Sequence, residues 1–226
     1  MPVTELVFFI TTALGTITPE FKAVCADALK VQDEWCTANL PDAPRGHEAR
    51  GAALFQQTED PAAALLTAHW ESVSEHEAWI ASEENRHVFS AVQEHIDRDR
   101  IRYFHVDGVE AFSATEDAGR TPVLQSPVIS VTRCFVEKDK KAEFDKVYGG
   151  VRSIHDDFAQ PYVHRGGWRI EKEEGREDVE QYVMIGGWDS VEAANEFPKH
   201  KDFSTYADAM KTVMLDCDVK YYRRIL

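Results

Sequence analysis

The chain has 226 residues, room for one large domain or two small ones. Hydrophobic residues make up 43% and aromatic residues 11%, which excludes a wholly disordered chain. Acidic residues outnumber basic ones 40 to 25, and the formal charge of -15 argues against nucleic acid and anionic membranes as partners.

In chain order, Leu6–Ile10 is a β-branched and aromatic run that reads as a strand covered on both faces. Residues 18–37 show helical spacing through Phe21, Val24, Leu29 and Trp35, with Thr18-Pro19 as cap and first turn. Strands follow at 49–57 and 62–71, joined by the turn residues Glu59-Asp60-Pro61. Ser72 and Ser74 are placed to cap a second helix reaching residue 96, and a strand at 100–107 closes the set. The second half repeats the plan: strand 128–135, helix 139–158, strands 163–172 and 179–188, helix 190–214 and strand 217–224. No apolar run approaches the roughly 18 residues of a membrane-spanning helix. Met1-Pro2-Val3-Thr4-Glu5 lacks the basic head of a signal peptide, so a cytoplasmic location without membrane contact is expected. Cys25, Cys36, Cys134 and Cys217 form no CxxC pair and read as reduced, packed thiols.

The halves are related in detail. Trp70-Glu71-Ser72-Val73 is answered by Trp188-Asp189-Ser190-Val191, and the same offset pairs Ile96 with Met214, Ile101 with Val219 and Tyr103 with Tyr221. Upstream, Gln32-Asp33-Glu34-Trp35 is answered by His155-Asp156-Asp157-Phe158. The offset changes only where loops fall, which tolerate length differences. Each half is therefore a β-α-β-β-α-β unit of ferredoxin-like type. The expected organisation is residues 1–112, a Thr/Gly/Asp/Pro-rich linker 113–127, and residues 128–226. Because the strands are apolar on both faces, the faces without helices need cover. The two sheets are expected to pack face to face as an α+β barrel within one chain.

The strand-to-helix junction Trp70-Glu71-Ser72, with Trp79 in the following helix, resembles the antibiotic biosynthesis monooxygenase domain of the dimeric α+β barrel superfamily. The second half has Phe197 where the second Trp would stand. The resemblance implies a small apolar cavity between sheet and helices in each half. It also implies cofactor-independent monooxygenation of a small aromatic, polyketide-like substrate of secondary metabolism, with molecular oxygen as co-substrate and no cofactor. Such chemistry needs a base in a dry pocket, because oxygen takes an electron only from a deprotonated, electron-rich partner. A cyclase, lyase or isomerase, or a binding protein without activity, is the alternative on the same fold. A monomeric pseudo-dimer, or a homodimer of it, is the expected assembly.

Histidine is the natural base near neutral pH. Of nine histidines, His69, His105 and His164 fall in strands, opposite Gly187, Arg223 and Ala49 of the other repeat. The shared fold does without them, so they are functional candidates. With the first strand between the third and fourth, His69 and the fourth strand lie roughly 10 Å apart. The catalytic expectation is therefore His69, His105 and Tyr103 converging in the first half. Trp70, Trp79, Phe8 and His164 are expected against the substrate. His76, His95 and His200 read as solvated helix residues, and Tyr103, Trp70 and Trp188 also as core.

Metal is not expected. Glu83/His87 and the cluster His155-Asp156-Asp157 each fall short of three converging ligands. Haem-degrading relatives of this family place a ligand His about ten residues after the second Trp. Phe89 and Ala207 stand there instead, and His87 is turned away. The Gly149-Gly150, Gly166-Gly167 and Gly186-Gly187 pairs lack a dinucleotide-binding context and read as close backbone approaches.

Overall fold

The computed structural model describes residues 1–13, 15–114 and 119–226. Within the expected linker, residues 115–118 therefore lie outside the described residues. The first half contains β1 (Val3–Ile10), α1 (Pro19–Asn39), β2 (Ala53–Gln57), β3 (Ala63–Trp70), α2 (Val73–Ala81), α3 (Glu83–Val92) and β4 (Arg102–Asp107). The second contains β5 (Val128–Glu137), α4 (Lys141–Phe158), β6 (His164–Trp168), β7 (Val179–Trp188), α5 (Val191–Ala194), α6 (Phe203–Lys211) and β8 (Asp216–Arg224).

The helix starts follow from their caps. Thr18 accepts from the Phe21 N–H, Ser72 from Glu75 and Ser190 from Ala193. The expected helix to residue 96 is two helices. Ser82 is extended (φ -67°, ψ 158°) and its side chain caps α3 through the Asn85 N–H, which ends α2 one residue earlier. The expected helix 190–214 is likewise broken, by a short 3-10 turn at Phe197–Lys199 that contains Pro198.

All strands join one antiparallel sheet of eight in the order β4-β1-β3-β2-β8-β5-β7-β6. The half-sheets join at their edges. Phe55 of β2 pairs with Arg224 of β8, and a bridge from Val106 of β4 to Arg169, just past β6, brings the outer strands together. That second seam is tight, because a Cβ on Gly167 would lie 2.4 Å from the Asp107 carbonyl oxygen. The result is a nearly closed barrel with its helices outside.

The period of two sorts every strand. Leu6 and Phe8 point into the barrel, where they join Phe55, Phe104, Ile129 and Ile185 in one core drawn from both halves. Val3, Glu5, Val7 and Phe9 point out, and Val3, Val7 and Phe9 pack in clusters with helix residues. Eight strands leave an interior that side chains can fill. One end is stopped by the segment after β4: Ala111, Phe112, Val123 and Leu124 are all buried in the interior core. Thr4 holds this stopper, donating to the Val109 carbonyl at 2.6 Å and accepting from the Ala111 N–H at 3.0 Å.

Candidate active site

His69 and His105 do not converge. Across the sheet His69 is opposite Thr4 and His105 is opposite Glu5, so they lie on opposite faces. His69 faces the barrel interior and accepts from the Phe112 N–H at 3.0 Å, which pins the stopper. Burial, with the Arg165 charge adding to it, pushes its imidazole down to about 3. Gly51 meets it closely; a Cβ there would lie 2.5 Å from the ring.

His105 faces the helices and belongs to a buried polar chain. Trp70 donates to Glu5 Oε2 at 2.8 Å, and His76 Nε2 meets Glu5 Oε1 at 3.0 Å. His76 Nδ1 meets His105 Nε2 at 2.7 Å, and His105 Nδ1 meets Glu171 Oε1 at 2.5 Å. The His105 N–H also donates to Glu171 Oε2 at 2.8 Å. His76 is 3% exposed, which corrects its reading as a solvated helix residue. Burial pushes the Glu5 carboxyl up, but the His76 charge and the hydrogen bonds from His76 and Trp70 outweigh this and hold it below its usual value. Glu171 is also held low: its partial burial acts upward, and the hydrogen bonds from the His105 ring and backbone outweigh it. Tyr103 lies edge-on to both imidazoles with its own side half exposed, so it is not the core residue that its twin suggested.

This chain fills the first half. The space between its sheet and helices is only about 60 Å³, bounded by Phe9, Cys25, Gln32, Trp79 and Phe89. Trp79 packs on Trp35 at 5.5 Å between ring centres. Phe8 is elsewhere, on the interior face at the open end of the barrel. The expected pocket of the first half is therefore largely occupied, and Glu5 and His76 help to fill the layer between sheet and helices.

The second half is hollow, and the repeat explains why. Val3 is opposite Trp70 and Val128 is opposite Trp188, so Glu5 has Ser130 as its twin. His76 and Ala194 sit at the same distance past the capping serines Ser72 and Ser190. Replacing a carboxylate and an imidazole by a hydroxyl and a methyl leaves a cavity of about 260 Å³, which both Ser130 and Ala194 line. Trp188 donates to Ser130 at 2.8 Å, the counterpart of Trp70 on Glu5. The remaining wall is mostly apolar and includes Phe197, Tyr206 and Tyr221.

One base borders this cavity. His155, near the end of α4, stacks on Tyr206 and lies edge-on to Phe197 and Trp188. Its Nδ1 is buried without a hydrogen-bond partner. Burial, and then the neighbouring His164, hold its imidazole well below the usual histidine value. His164 stands behind it, 4.1 Å between ring centres, with Nδ1 3.2 Å from Asp156 Oδ1. Sequence spacing identified the His155-Asp156 pair but not His155 as a site residue. The available signal was its twin, Gln32, which borders the small cavity of the first half.

His155, Asp156 and His164 also bring three ligand atoms within 4.8 Å of one another, a convergence that spacing alone did not anticipate. Both Asp156 oxygens are already engaged, one by His164 and one by the Arg152 guanidinium at 2.9 Å, and a cation would have to displace one of them. At the haem-ligand positions, Phe89 packs against the first-half core and Ala207 sits on α6, and neither side chain can ligate iron.

No family model and no curated protein sequence matches the chain. Solved structures do. A candidate monooxygenase from Fusobacterium nucleatum covers 100% of this chain and 93% of its own, at TM-score 0.59 and 6% identity. An anthrone oxidase-like protein covers 100% and 92%, at TM-score 0.59 and 16% identity. A haem-binding protein from Thermus thermophilus covers 100% and 92%, at TM-score 0.52 and 11% identity. Such likeness extends over the whole chain and, with the eight-stranded topology, it identifies the fold as the dimeric α+β barrel, assembled here within a single polypeptide.

Proposed function

We propose that the chain is a cofactor-independent oxygenase acting on a small aromatic substrate in the second-half cavity, with His155 as base. The observation that carries this is a largely apolar space of about 260 Å³ bordered by one imidazole, that of His155. An engineered apolar cavity of roughly 150 Å³ takes benzene, so the volume suits a larger ring system. Two structural neighbours are described as a candidate monooxygenase and an anthrone oxidase-like protein, which supports the same class.

In this reading the substrate carries an acidic C–H or O–H beside its ring. His155 is neutral at pH 7, because burial disfavours its charged form, and so it is ready to accept that proton. The anion formed beside it then stabilises the imidazolium by pairing. The anion passes one electron to oxygen, and the radical pair joins to form a carbon–oxygen bond. The peroxide loses water and leaves a carbonyl, so a CH₂ group and O₂ become C=O and H₂O. The proton held by His155 goes to the departing hydroxide. The substrate is itself the reductant.

An oxygen electrode with an anthrone as substrate tests this. Oxygen uptake should match quinone formation one to one, and His155→Ala should lower kcat by about 100-fold or more. His105→Asn, outside the cavity, should change kcat only a few-fold. Turnover without oxygen uptake would instead assign the chain to the cyclases or isomerases, and full activity in His155→Ala would remove the base.

A further inference from the structure

We propose that the open end of the barrel is a second ligand site, separate from the sheet-and-helix cavity, and that it takes an aromatic carboxylate. The stopper closes only one end of the barrel. The other end opens into a bowl of about 720 Å³, within the usual range for small-molecule sites. Its floor is the interior core itself: Phe8, Phe104, Val131 and Tyr222. A flat apolar body can stack there.

The wall has the opposite sign to the rest of the protein. In a chain of net charge -15, the bowl is bordered by Arg102, Arg133, Arg169, Lys172 and Lys220, against Glu173, Glu174 and Asp218. Several of these cations are poorly matched. Asp218 is shared, 3.6 Å from Arg133 and 3.3 Å from Lys220. Arg102 donates to the backbone carbonyls of Asp99 and Ile101. Lys172 is matched, by Glu180.

Arg169 is the strongest case. Its side chain is 13% exposed, its guanidinium lies 4.5 Å above the Phe104 ring, and its Nε is buried without a partner. Glu173 reaches it only at 4.0 Å. A largely covered cation on an aromatic floor, with Glu173 no nearer than 4.0 Å, is stabilised by an anion placed above that floor, and a cleft with an excess of positive charge draws such ions in. The Val106–Arg169 seam therefore not only closes the barrel but also places a positive charge beneath its mouth.

Isothermal titration with 2-naphthoate tests the site in the intact chain, with 2-naphthol as the neutral isostere and inorganic phosphate as the anion without a ring. Naphthoate should bind at least 10-fold more tightly than either, and its affinity should fall about 3-fold or more between 50 and 200 mM salt. The rim variant Arg133→Gln/Lys220→Gln, at partly exposed positions that leave the core intact, should weaken it about 10-fold. Arg169→Gln should weaken it further. Ala194→Phe, which fills the other cavity, should leave naphthoate binding unchanged, so this result stands or falls separately from the proposed oxygenase site. Equal binding of naphthol or phosphate, indifference to the rim variant, or loss in Ala194→Phe would each overturn the proposal.

Discussion

His76 Nδ1 and His105 Nε2 meet at 2.7 Å in a buried layer with a carboxylate at each end. Glu5 and Glu171 face the outer ring nitrogens, so the two carboxylates and two imidazoles form one continuous polar chain. Glu171 lies beyond β6, in the other half of the chain, so the pair closes a polar bond across the second seam. Removing a partner leaves a buried charge unmatched. Glu5→Gln is expected to cost about 3 kcal/mol, and Glu171→Gln, which is partly exposed, about 1 kcal/mol. Urea unfolding measures both, and a double-mutant cycle between His76→Ala and His105→Ala should give a coupling of roughly 1–3 kcal/mol. Additive losses would mean that the two rings are not coupled.

His69 makes stability depend on acid in a defined window. Its folded value is about 3 against an ordinary 6.5, because it is buried as a neutral acceptor for the Phe112 N–H. Below 6.5 the unfolded chain therefore binds a proton that the folded chain refuses. The stabilisation is complete above 6.5 and is lost as pH falls towards 3, by on the order of 5 kcal/mol over the whole window. His69→Gln keeps an acceptor but cannot titrate. Denaturant unfolding at pH 7 and pH 4.5 should show a smaller loss for the variant than for the parent; equal losses would place the acid sensitivity elsewhere.

Much of the fold was legible from local signals. The capping serines, the apolar β1 run and the matched Trp70 and Trp188 report contacts between near neighbours or between equivalent strands. The breaks at Ser82 and Pro198 were hidden because apolar spacing continues through them on either side. The candidate site was less legible, for a physical reason. Which face a strand residue occupies depends on register, and the Thr4–His69 and Glu5–His105 pairings set these histidines on opposite faces although both lie in apolar strands. Glu171 meets His105 only once the barrel closes, and no spacing along the chain records that. Residues peculiar to the first half fill it, and the hollow lies where their counterparts are small.

Ala194 controls the size of that hollow. Its methyl stands where His76 puts a ring, so a larger side chain should occupy the cavity without disturbing the sheet. Ala194→Phe is expected to weaken binding of a neutral anthrone, the ligand proposed for this cavity, about 10-fold or more. Stability should fall by about 1–3 kcal/mol, the usual cost of overpacking. Retained affinity by isothermal titration would show that ligands bind elsewhere.

Metal removal distinguishes the base from a ligand set. His155, Asp156 and His164 converge, yet the Arg152 guanidinium sits on the same carboxylate, and a positive charge there opposes a second cation. Arg152 also donates to the His164 carbonyl at 3.1 Å, which fixes it beside the cluster. The Asp156 carboxylate is thus satisfied without an ion. Exhaustive dialysis against a chelator should leave both turnover and melting temperature unchanged. Added Co²⁺ should give no ligand-field absorption that His164→Asn removes. Activity lost on dialysis and restored by a divalent ion would turn His155 from proton acceptor into metal ligand.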